Sequence, residues 1–206
     1  MIEYILASGS PRRKEILTQV GISFKVMVSD AEEVFSHSEP EQIVEELARL
    51  KCMDVAGKII ASETDYLPKN DSVIYVIGAD TMVSVDGLPL GKPKDKADAF
   101  NMIKMIEGRE HIVSTGVSIA KITGNEKTGF YIEAVKSFCE NSSVIVNNMS
   151  DEEINEYIST NEPYDKAGSY AIQGIFAKYI KGIRGDYYNI VGFPICRFLN
   201  EIKDIA

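Results

Sequence analysis

The stretch IEYILASGSPRRKEIL, residues 2–17, defines how the fold begins. Its apolar run over 2–7, interrupted by Glu3, predicts a strand. Three small residues follow, and then Pro11. Because proline is favoured at the first position of a helix, Pro11 predicts that a helix begins there. Ser10 is therefore the expected N-cap residue. The chain thus begins with a strand that leads directly into a helix.

Two arginines, Arg12 and Arg13, occupy the first turn of this predicted helix. The helix dipole makes that end partly positive, so each cation there costs roughly 0.3–1 kcal/mol. Free backbone N–H groups, the dipole and the guanidinium groups together form a site for an anion. We therefore expect this corner of the chain to hold an anionic group such as a phosphate.

Patterns of both helix and strand continue along the chain, without an internal repeat. Periodicity and capping signals predict helices over 39–60, 94–108, 151–159 and about 195–202. Apolar or alternating runs predict strands over 23–30, 73–81, 82–90, 111–122 and 128–146, with a hairpin turn at Asp86-Gly87. Residues 170–194 are predicted to form strands and turns, and the polar segment 61–72 an exposed loop. This mixture predicts an α/β fold with a mixed sheet and two lobes, in a single domain over 1–206.

The composition is that of an ordinary globular chain, with 206 residues, 45% of them hydrophobic and 26% charged. The formal net charge of −9 argues against a nucleic-acid-binding protein, which normally carries a basic surface. It is compatible with a small anionic ligand, because a few local cations outweigh a diffuse field at short range. Without a leader-like N-terminus or an apolar run of about 18 residues, we expect a cytoplasmic protein that does not bind membranes.

The sequence offers no disulfide framework and no zinc site. Cys52, Cys139 and Cys196 are far apart and form no CxxC motif, so we expect buried free thiols in a reducing compartment. The two histidines, His37 and His111, are too few and too separated to bind zinc.

Asp80 is the first candidate for chemistry. It lies just past the apolar run VIYVI, in GADT (78–81). A carboxylate at the carboxyl end of a buried strand faces the crevice in which α/β proteins bind ligands. Asp80 is therefore a metal ligand or general base, or else an aspartate that caps the following turn.

Three further positions each have two interpretations. Glu33 follows a predicted strand and is either a ligand group or part of a solvated acidic loop. Lys51 lies in a predicted helix and is either a site residue or an ordinary surface lysine. Lys92 lies beside a glycine and a proline that stiffen its loop, which favours a fixed ammonium group without requiring one.

Two segments of the last third combine polar and small residues, EPYDKAGSYAIQG (162–174) and GDYYNIVGFP (185–194). In the first, Asp165, Lys166 and Gln173 either line a pocket or tie the loop together. In the second, glycines around aromatic residues either close a base-binding wall or make a tight turn. Cations, carboxylates and one carboxamide in one group suit a metal-bound phosphorylated ligand that carries a heterocycle.

Taken together, these segments resemble the Maf family, the septum-formation-inhibitor-like nucleoside triphosphate pyrophosphatases. The matching segments, in family order, are ASGSPRR (7–13), Glu32-Glu33, Lys51, GADT, GKP (91–93), STGV (114–117), EPYDKAGSYAIQG and GDYYNIVGFP. SGSPRR joined to DKAG…IQG is very specific, whereas GADT or GKP alone would be weak. The polar insertion around 63–72 departs from the family pattern but lies outside its motifs.

The resemblance implies two α/β lobes around an elongated mixed β-sheet, with the substrate in the cleft between them, as in other house-cleaning nucleotide pyrophosphatases. It also implies hydrolysis of a nucleoside triphosphate to the monophosphate and pyrophosphate, with a divalent cation, Mg²⁺ or Mn²⁺. The implied residue roles are proton transfer by Asp80, catalysis with Lys51, Lys92 and Glu33, phosphate binding by Ser8 and Arg13, and metal binding by Glu33 and Asp80.

The resemblance further implies which bases are accepted, because Arg12, Thr81 and Gln173 match the family's combination for dTTP and UTP. Uracil and thymine present two carbonyl acceptors around an N–H donor. A carboxamide can donate and accept, a hydroxyl can do either, and an arginine can only donate. Cytosine reverses part of this pattern and would leave buried groups unpaired. We therefore expect UTP, dTTP and modified pyrimidine analogues to be hydrolysed.

A second hypothesis is a nucleotide-binding regulator of cell division that does not turn its ligand over, since the family is tied to arrest of division. Asp80, Lys51 and Lys92 favour the enzyme, because a protein that only binds nucleotides needs no base. The sequence leaves a homodimer open.

Overall fold

The structure is a computed structural model that describes residues 2–62, 66, 72–125, 127 and 129–205. The loop predicted over 61–72 falls outside these residues except at 61, 62, 66 and 72. The helices are α1 Pro11–Gln19, α2 Pro40–Ile60, α3 Lys96–Ile106, α4 Asp151–Ile158, α5 Tyr187–Val191 and α6 Ile195–Glu201. The strands are β1 Ile2–Leu6, β2 Phe24–Val26, β3 Val73–Val85, β4 Leu88–Leu90, β5 Glu110–Asn125, β6 Gly129–Val146 and β7 Ile180–Arg184. Short 3₁₀ turns occur at Pro163–Asp165, Ala167–Ser169, Ile175–Tyr179 and Ile202–Ile205.

Within the described residues, the seven strands form one mixed sheet. Its order is β2-β1-β3-β5-β6-β7, with β4 paired to β3. β1 runs parallel to β2 and β3, and the other pairs are antiparallel. The prediction of an α/β fold with a mixed sheet is therefore confirmed, while the division of the single domain into two lobes stays a prediction.

The signals at helix ends are confirmed at several places. α1 and α2 each begin with the proline that the sequence places there. Ser150 and Glu153 form the predicted capping box of α4. Gly108 follows α3 with a φ of +66°, a conformation that glycine adopts without strain.

One edge of β3 is left partly uncovered. β1 pairs with β3 as far as Leu6 opposite Ile77, because the chain then turns away at the serine-proline corner into α1. β4 returns to the same strand after the Asp86-Gly87 turn and pairs from Val83 onward. Among the described residues, 78–82 therefore pair with β5 alone.

Helix α2 packs against the sheet unusually closely, because two glycines face it. A Cβ atom at Gly78 of β3 would lie 2.1 Å from the carbonyl oxygen of Ala48. A Cβ atom at Gly116 of β5 would lie 2.2 Å from the carbonyl oxygen of Val44. Both contacts are with backbone, so a side chain at either glycine would displace the helix from the sheet that carries Asp80.

The core consists of apolar clusters on both faces of the sheet. Ile5, Val55 and Val76 belong to the cluster under α2. Leu17, Ile77 and Phe198 belong to a cluster that includes residues of α1 and α6. A further cluster joins the end of β3 to α3 and α4. These clusters hold α1 and α2 in place around the middle of β3.

Two details of the strand prediction were wrong. β3 is one strand of 13 residues that joins the predicted run 73–81 to the start of 82–90, so Asp80 lies in its middle and not at its carboxyl end. This position excludes the interpretation of Asp80 as the cap of a turn. Over 170–194 the structure has only one strand among the described residues, β7, and it forms helix α5 where a turn was expected. The Asp186 side chain caps that helix by accepting from Tyr188 N at 2.7 Å.

The three cysteines are free, as predicted, but they are not all buried. Cys52 is buried, and burial raises the pKa of its thiol to about 11. Cys196 is exposed, so the prediction of burial was wrong there. In the part of the chain that the structure describes, none of the helices has both the length and the apolar character needed to cross a membrane.

Candidate active site

The nine residues predicted for the site all line one cleft of about 1060 Å³. β3 contributes residues 80–83 to its wall, and 80–82 belong to the segment left uncovered between β1 and β4. The nine residues are Ser8, Arg12, Arg13, Glu33, Lys51, Asp80, Thr81, Lys92 and Gln173. The structure thus brings together groups that are up to 165 positions apart in the chain.

Arg13 is buried and held by three protein acceptors. Its Nε donates to Gly192 O at 3.0 Å, its Nη1 to Ser8 Oγ at 2.9 Å and its Nη2 to Thr81 Oγ1 at 3.1 Å. Burial lowers the pKa of the guanidinium group, while the charges of Asp80 and Glu33 act in the opposite direction. Arginine stays charged under such conditions and has five N–H donors, so two Nη protons are left for a ligand.

Arg12 has a different environment from its neighbour. Its side chain is 40% exposed, and its Nη1 pairs with Glu15 Oε2 at 3.0 Å. The N-cap Ser10 makes no side-chain capping bond within the described residues, and its own N–H donates to Ser8 Oγ at 3.3 Å. Arg13 thus belongs to the floor of the cleft, whereas Arg12 lies at its rim.

Lys51 is not an ordinary surface lysine, because its ammonium group lies between two carboxylates. Lys51 Nζ is 2.6 Å from Asp80 Oδ1 and 2.8 Å from Glu33 Oε1. The side chains of Lys51 and Asp80 are only 15% and 16% exposed, whereas that of Glu33 is 58% exposed. Close packing of α2 on Gly78 and Gly116 puts Lys51 within reach of β3.

The chemistry of these donors fits a divalent cation shared with a ligand. Asp80 and Glu33 each place an oxygen within 3 Å of the same nitrogen, so both can face one cation. Among the residues described, no group of three or more histidine, cysteine, aspartate or glutamate side chains forms a complete cage. Mg²⁺ usually binds one or two carboxylates together with substrate phosphates, which is the arrangement that this pair allows.

The side chain of Thr81 lies on the other face of β3 from that of Asp80, since successive side chains alternate. Thr81 Oγ1 accepts from Arg13 and is 3.0 Å from Thr115 Oγ1, its direct neighbour on β5. Thr115 Oγ1 in turn donates to Asn189 O at 3.0 Å. This face of the site therefore consists of hydroxyl groups and one buried guanidinium group.

Lys92 lies where the loop after β4 meets the segment 165–169. Gly168 N donates to Gly91 O at 3.0 Å and so ties the two segments together. Gly168 has a φ of +66°, and a Cβ atom there would lie 2.8 Å from Val83 Cγ1. The pKa of Asp165 is lowered by its hydrogen bond to Lys166 and further by the charge of Lys92.

Glu162, which the sequence analysis quoted in a motif but did not single out, holds the turn that follows Gln173. Glu162 Oε2 accepts from Ile175 N at 2.7 Å, and Oε1 accepts from Phe176 N at 3.2 Å. A Cβ atom at Gly174 would lie 2.0 Å from Glu162 Oε2, so a side chain there would displace this carboxylate from its two backbone donors. The turn beside the cleft therefore depends on a carboxylate outside it.

Tyr170 is a further lining residue that sequence reasoning missed. Its hydroxyl is 2.7 Å from Nε2 of His111, and both side chains are buried. Burial lowers the pKa of His111 to about 4, so the imidazole is neutral at physiological pH. The position of Tyr170 within DKAGSY was the available signal, but its pairing with a histidine 59 residues away depends on the fold.

Comparison with known proteins agrees with this arrangement. The sequence profile of a family described as Maf-like protein matches residues 3–205. The chain belongs to the Maf family. The resemblance carried by the motifs is therefore confirmed over nearly the whole chain.

Similar Maf relatives include curated bacterial proteins. A dTTP/UTP pyrophosphatase of Agathobacter rectalis is 43% identical, with 100% of this chain and 98% of that protein covered. A dTTP/UTP pyrophosphatase of Lachnoclostridium phytofermentans is 45% identical, with coverage of 98% and 95%. The Ham1 protein of Staphylococcus aureus superposes over 99% of this chain with a TM-score of 0.45 and 14% identity, values too low to carry an argument.

Proposed function

We propose that this Maf protein is a metal-dependent nucleoside triphosphate pyrophosphatase that hydrolyses dTTP and UTP. The observation that carries the proposal is that all nine residues matching the family's functional positions line one cleft. The names of relatives 40–45% identical over almost the whole chain support the same substrates. Modified pyrimidine nucleotides with the same base edge belong to the proposed substrate class.

The triphosphate is proposed to lie at the start of α1. Arg13 has two unused Nη protons there, and Ser8 Oγ is held by Arg13 at 2.9 Å. The first turn of α1 adds backbone N–H groups and the positive end of its dipole. In this proposal Arg12 and Gln173 face the base, together with Thr81.

Asp80 is proposed to take a proton from the water that attacks the α-phosphorus. The bond to the pyrophosphate group breaks as the new P–O bond forms, and pyrophosphate leaves. Lys51 and Lys92 offset the negative charge that develops on the phosphoryl and leaving oxygens. A preorganised group of this kind is typically worth on the order of 10²–10³ in rate.

Asp80 and Glu33 are the residues proposed to hold the cation. When bound, Mg²⁺ or Mn²⁺ would neutralise phosphate charge and act as a Lewis acid on the phosphate oxygens. Lys51 keeps the two carboxylates close together, at 2.6 and 2.8 Å from its own nitrogen. A cytoplasmic location is part of the proposal, because three free cysteines suit a reducing compartment.

The test is pyrophosphate release by the purified protein from UTP, dTTP, CTP and GTP, with Mg²⁺ or Mn²⁺ and with a chelator as control. We expect release from UTP and dTTP with metal, and loss of activity with chelator. A preference for CTP or GTP over both would contradict the base assignment. Binding of UTP without any pyrophosphate release would instead favour a nucleotide sensor.

A further inference from the structure

A row of hydrogen bonds sets the direction of the Thr81 hydroxyl proton. Arg13 Nη2 donates to Thr81 Oγ1 at 3.1 Å, so this oxygen already acts as an acceptor. Thr115 Oγ1 donates its single proton to Asn189 O at 3.0 Å, because a carbonyl oxygen can only accept. In the 3.0 Å contact between the two hydroxyl groups, Thr115 then has only lone pairs left, and Thr81 is the donor.

Burial keeps this direction fixed. Thr115 is 0% exposed and lies directly opposite Thr81 in the register of β3 and β5, so solvent does not compete for its hydroxyl group. Asn189 is also 0% exposed, and its side chain donates to Ser142 Oγ at 2.9 Å. The acceptor at the end of the row, which also accepts from Gly192 N at 3.0 Å, therefore belongs to the rigid core.

What Thr81 has left for a ligand is a lone pair. A hydroxyl group has one proton and two lone pairs. The proton of Thr81 goes to Thr115, and one lone pair is taken by Arg13. Since Thr81 lines the cleft, the group that it pairs with there has to be a donor. Among the ring and carbonyl groups that uracil and thymine share, N3–H is the donor, and two carbonyl acceptors flank it.

We infer that Thr115 is a positioning residue for base selection. By taking the Thr81 proton, it leaves the Thr81 oxygen as an acceptor for the N3–H of uracil or thymine. The inference rests on the proposed function and narrows the sequence-based expectation that Thr81 either donates or accepts. Cytosine has a lone pair at N3, so it would face the Thr81 oxygen with two acceptors and no proton between them.

The main test compares Thr115→Val with Thr115→Ser. Valine keeps the shape of threonine but removes the hydroxyl group, which frees Thr81 to turn its proton toward cytosine N3. We expect the ratio of kcat/KM for UTP to that for CTP to fall by about tenfold, the factor that one unpaired buried polar group produces. Thr115→Ser keeps the hydroxyl group, so the ratio should stay at the wild-type value.

Ser118→Ala is the matched control for loss of a buried hydroxyl group. Ser118 is also 0% exposed and lies on β5, but its side chain is on the other face of that strand. Its removal should leave the UTP-to-CTP ratio unchanged. Calorimetric binding of UMP and CMP provides a second measure of base preference for each variant, and it does not depend on turnover.

The outcomes separate this inference from the proposed function. If the wild type hydrolyses UTP and Thr115→Val keeps its ratio, the inference is overturned and the proposed function stands. If the wild type releases no pyrophosphate but the UMP-to-CMP binding ratio falls in Thr115→Val, the proposed function fails and the positioning role stands. Should Thr115→Val fail to fold, Thr81→Val must lower the ratio, and an unchanged ratio there overturns the inference.

Discussion

Asp80 and Thr81 are neighbours in β3, but they belong to two regions of different chemistry. On the face toward α2, Asp80 lies 2.6 Å from Lys51, which also pairs with Glu33, so this region consists of charges. On the other face, Thr81 contacts Arg13 and Thr115, so that region consists of hydroxyl groups around one guanidinium group. Successive side chains of a strand point to opposite faces, which separates the two regions. Both Asp80 and Thr81 nevertheless line the same cleft.

The difference indicates a division of labour. Charges that are close together can hold a cation, move a proton and offset developing charge, so the charged region should control the rate. Hydroxyl groups with fixed proton directions distinguish donors from acceptors, so the other region should control which base is accepted. Substitutions in the charged region should then leave base preference nearly unchanged, and substitutions in the hydroxyl region should leave the rate with UTP nearly unchanged.

The largest effect is expected from Asp80→Asn. The amide keeps the size of the carboxylate but removes the proposed proton acceptor and one of the two proposed metal ligands. We expect kcat for UTP to fall by about 10²–10⁴-fold, the usual contribution of a general base. The UMP-to-CMP binding ratio, measured by calorimetry, should stay within twofold or so of the wild type, roughly the resolution of such a comparison.

Asp86→Asn is the control for this change. Asp86 pairs with Arg109 at the hairpin turn and has a positive φ of 51°, which asparagine tolerates. Its turnover should match the wild type. Near-normal turnover in Asp80→Asn would remove Asp80 from its proposed role and erase the contrast between the two regions.

A smaller effect is expected from Arg13→Lys, which changes the residue that joins the proposed triphosphate site to the hydroxyl groups of Thr81 and Thr115. One ammonium group cannot replace a planar guanidinium group that donates to Gly192, Ser8 and Thr81 at the same time. We expect KM for UTP to rise by about tenfold or more, equivalent to about 1.4 kcal/mol. The exposed Arg109→Lys serves as control in the same steady-state assay, and equal KM values for the two variants would contradict the assignment.

The smallest effect on the contrast between the two regions concerns the buried His111, whose side chain shares the face of Thr115 on β5, because its titration changes stability and neither rate nor base choice. Its pKa is lowered by burial from 6.5 to about 4, so the unfolded chain takes up this proton more readily than the folded chain. The free energy of unfolding should therefore fall as pH drops from about 6.5 to about 4, by at most about 1.4 kcal/mol per pH unit from this group. Above that range the contribution of His111 is constant.

Urea unfolding of the wild type and His111→Gln at pH 7.0, 5.5 and 4.5 measures this contribution. Glutamine does not titrate, so the stability difference between the two proteins should change in favour of the variant as the pH falls. A difference that stays the same at all three pH values would show that His111 is not held neutral by the fold.

Local signals in the sequence were enough to predict much of the fold. Pro11, Pro40 and the Ser150–Glu153 capping box mark helix starts that the structure has. The sequence predicted two runs, 73–81 and 82–90, whereas the structure continues β3 without a break from Val73 to Val85. Pairing with β5 over 74–84 holds both runs in one strand, and no local pattern contains this information.

The site was predictable as a set of residues but not as an arrangement. Motifs placed nine residues in one site, and the structure brings all nine to one cleft. The contact of Lys51 with Asp80 depends on two glycines that belong to strands and not to the helix itself. The position of Thr115 opposite Thr81 depends on strand register, which is why STGV was quoted without a role.

The uncovered edge of β3 also bears on self-association. The unpaired N–H and C=O groups of an exposed edge strand can pair with a strand of another chain, which leads to aggregation. Here β1 ends before the gap and β4 begins after it, so the open segment over 78–82 is about 16 Å long at about 3.3 Å per residue. An incoming polypeptide would collide with both neighbours before it could form a ladder, whereas a compact small molecule would not. The cleft can therefore be lined by residues 80–82 of this segment without offering a template for fibre growth.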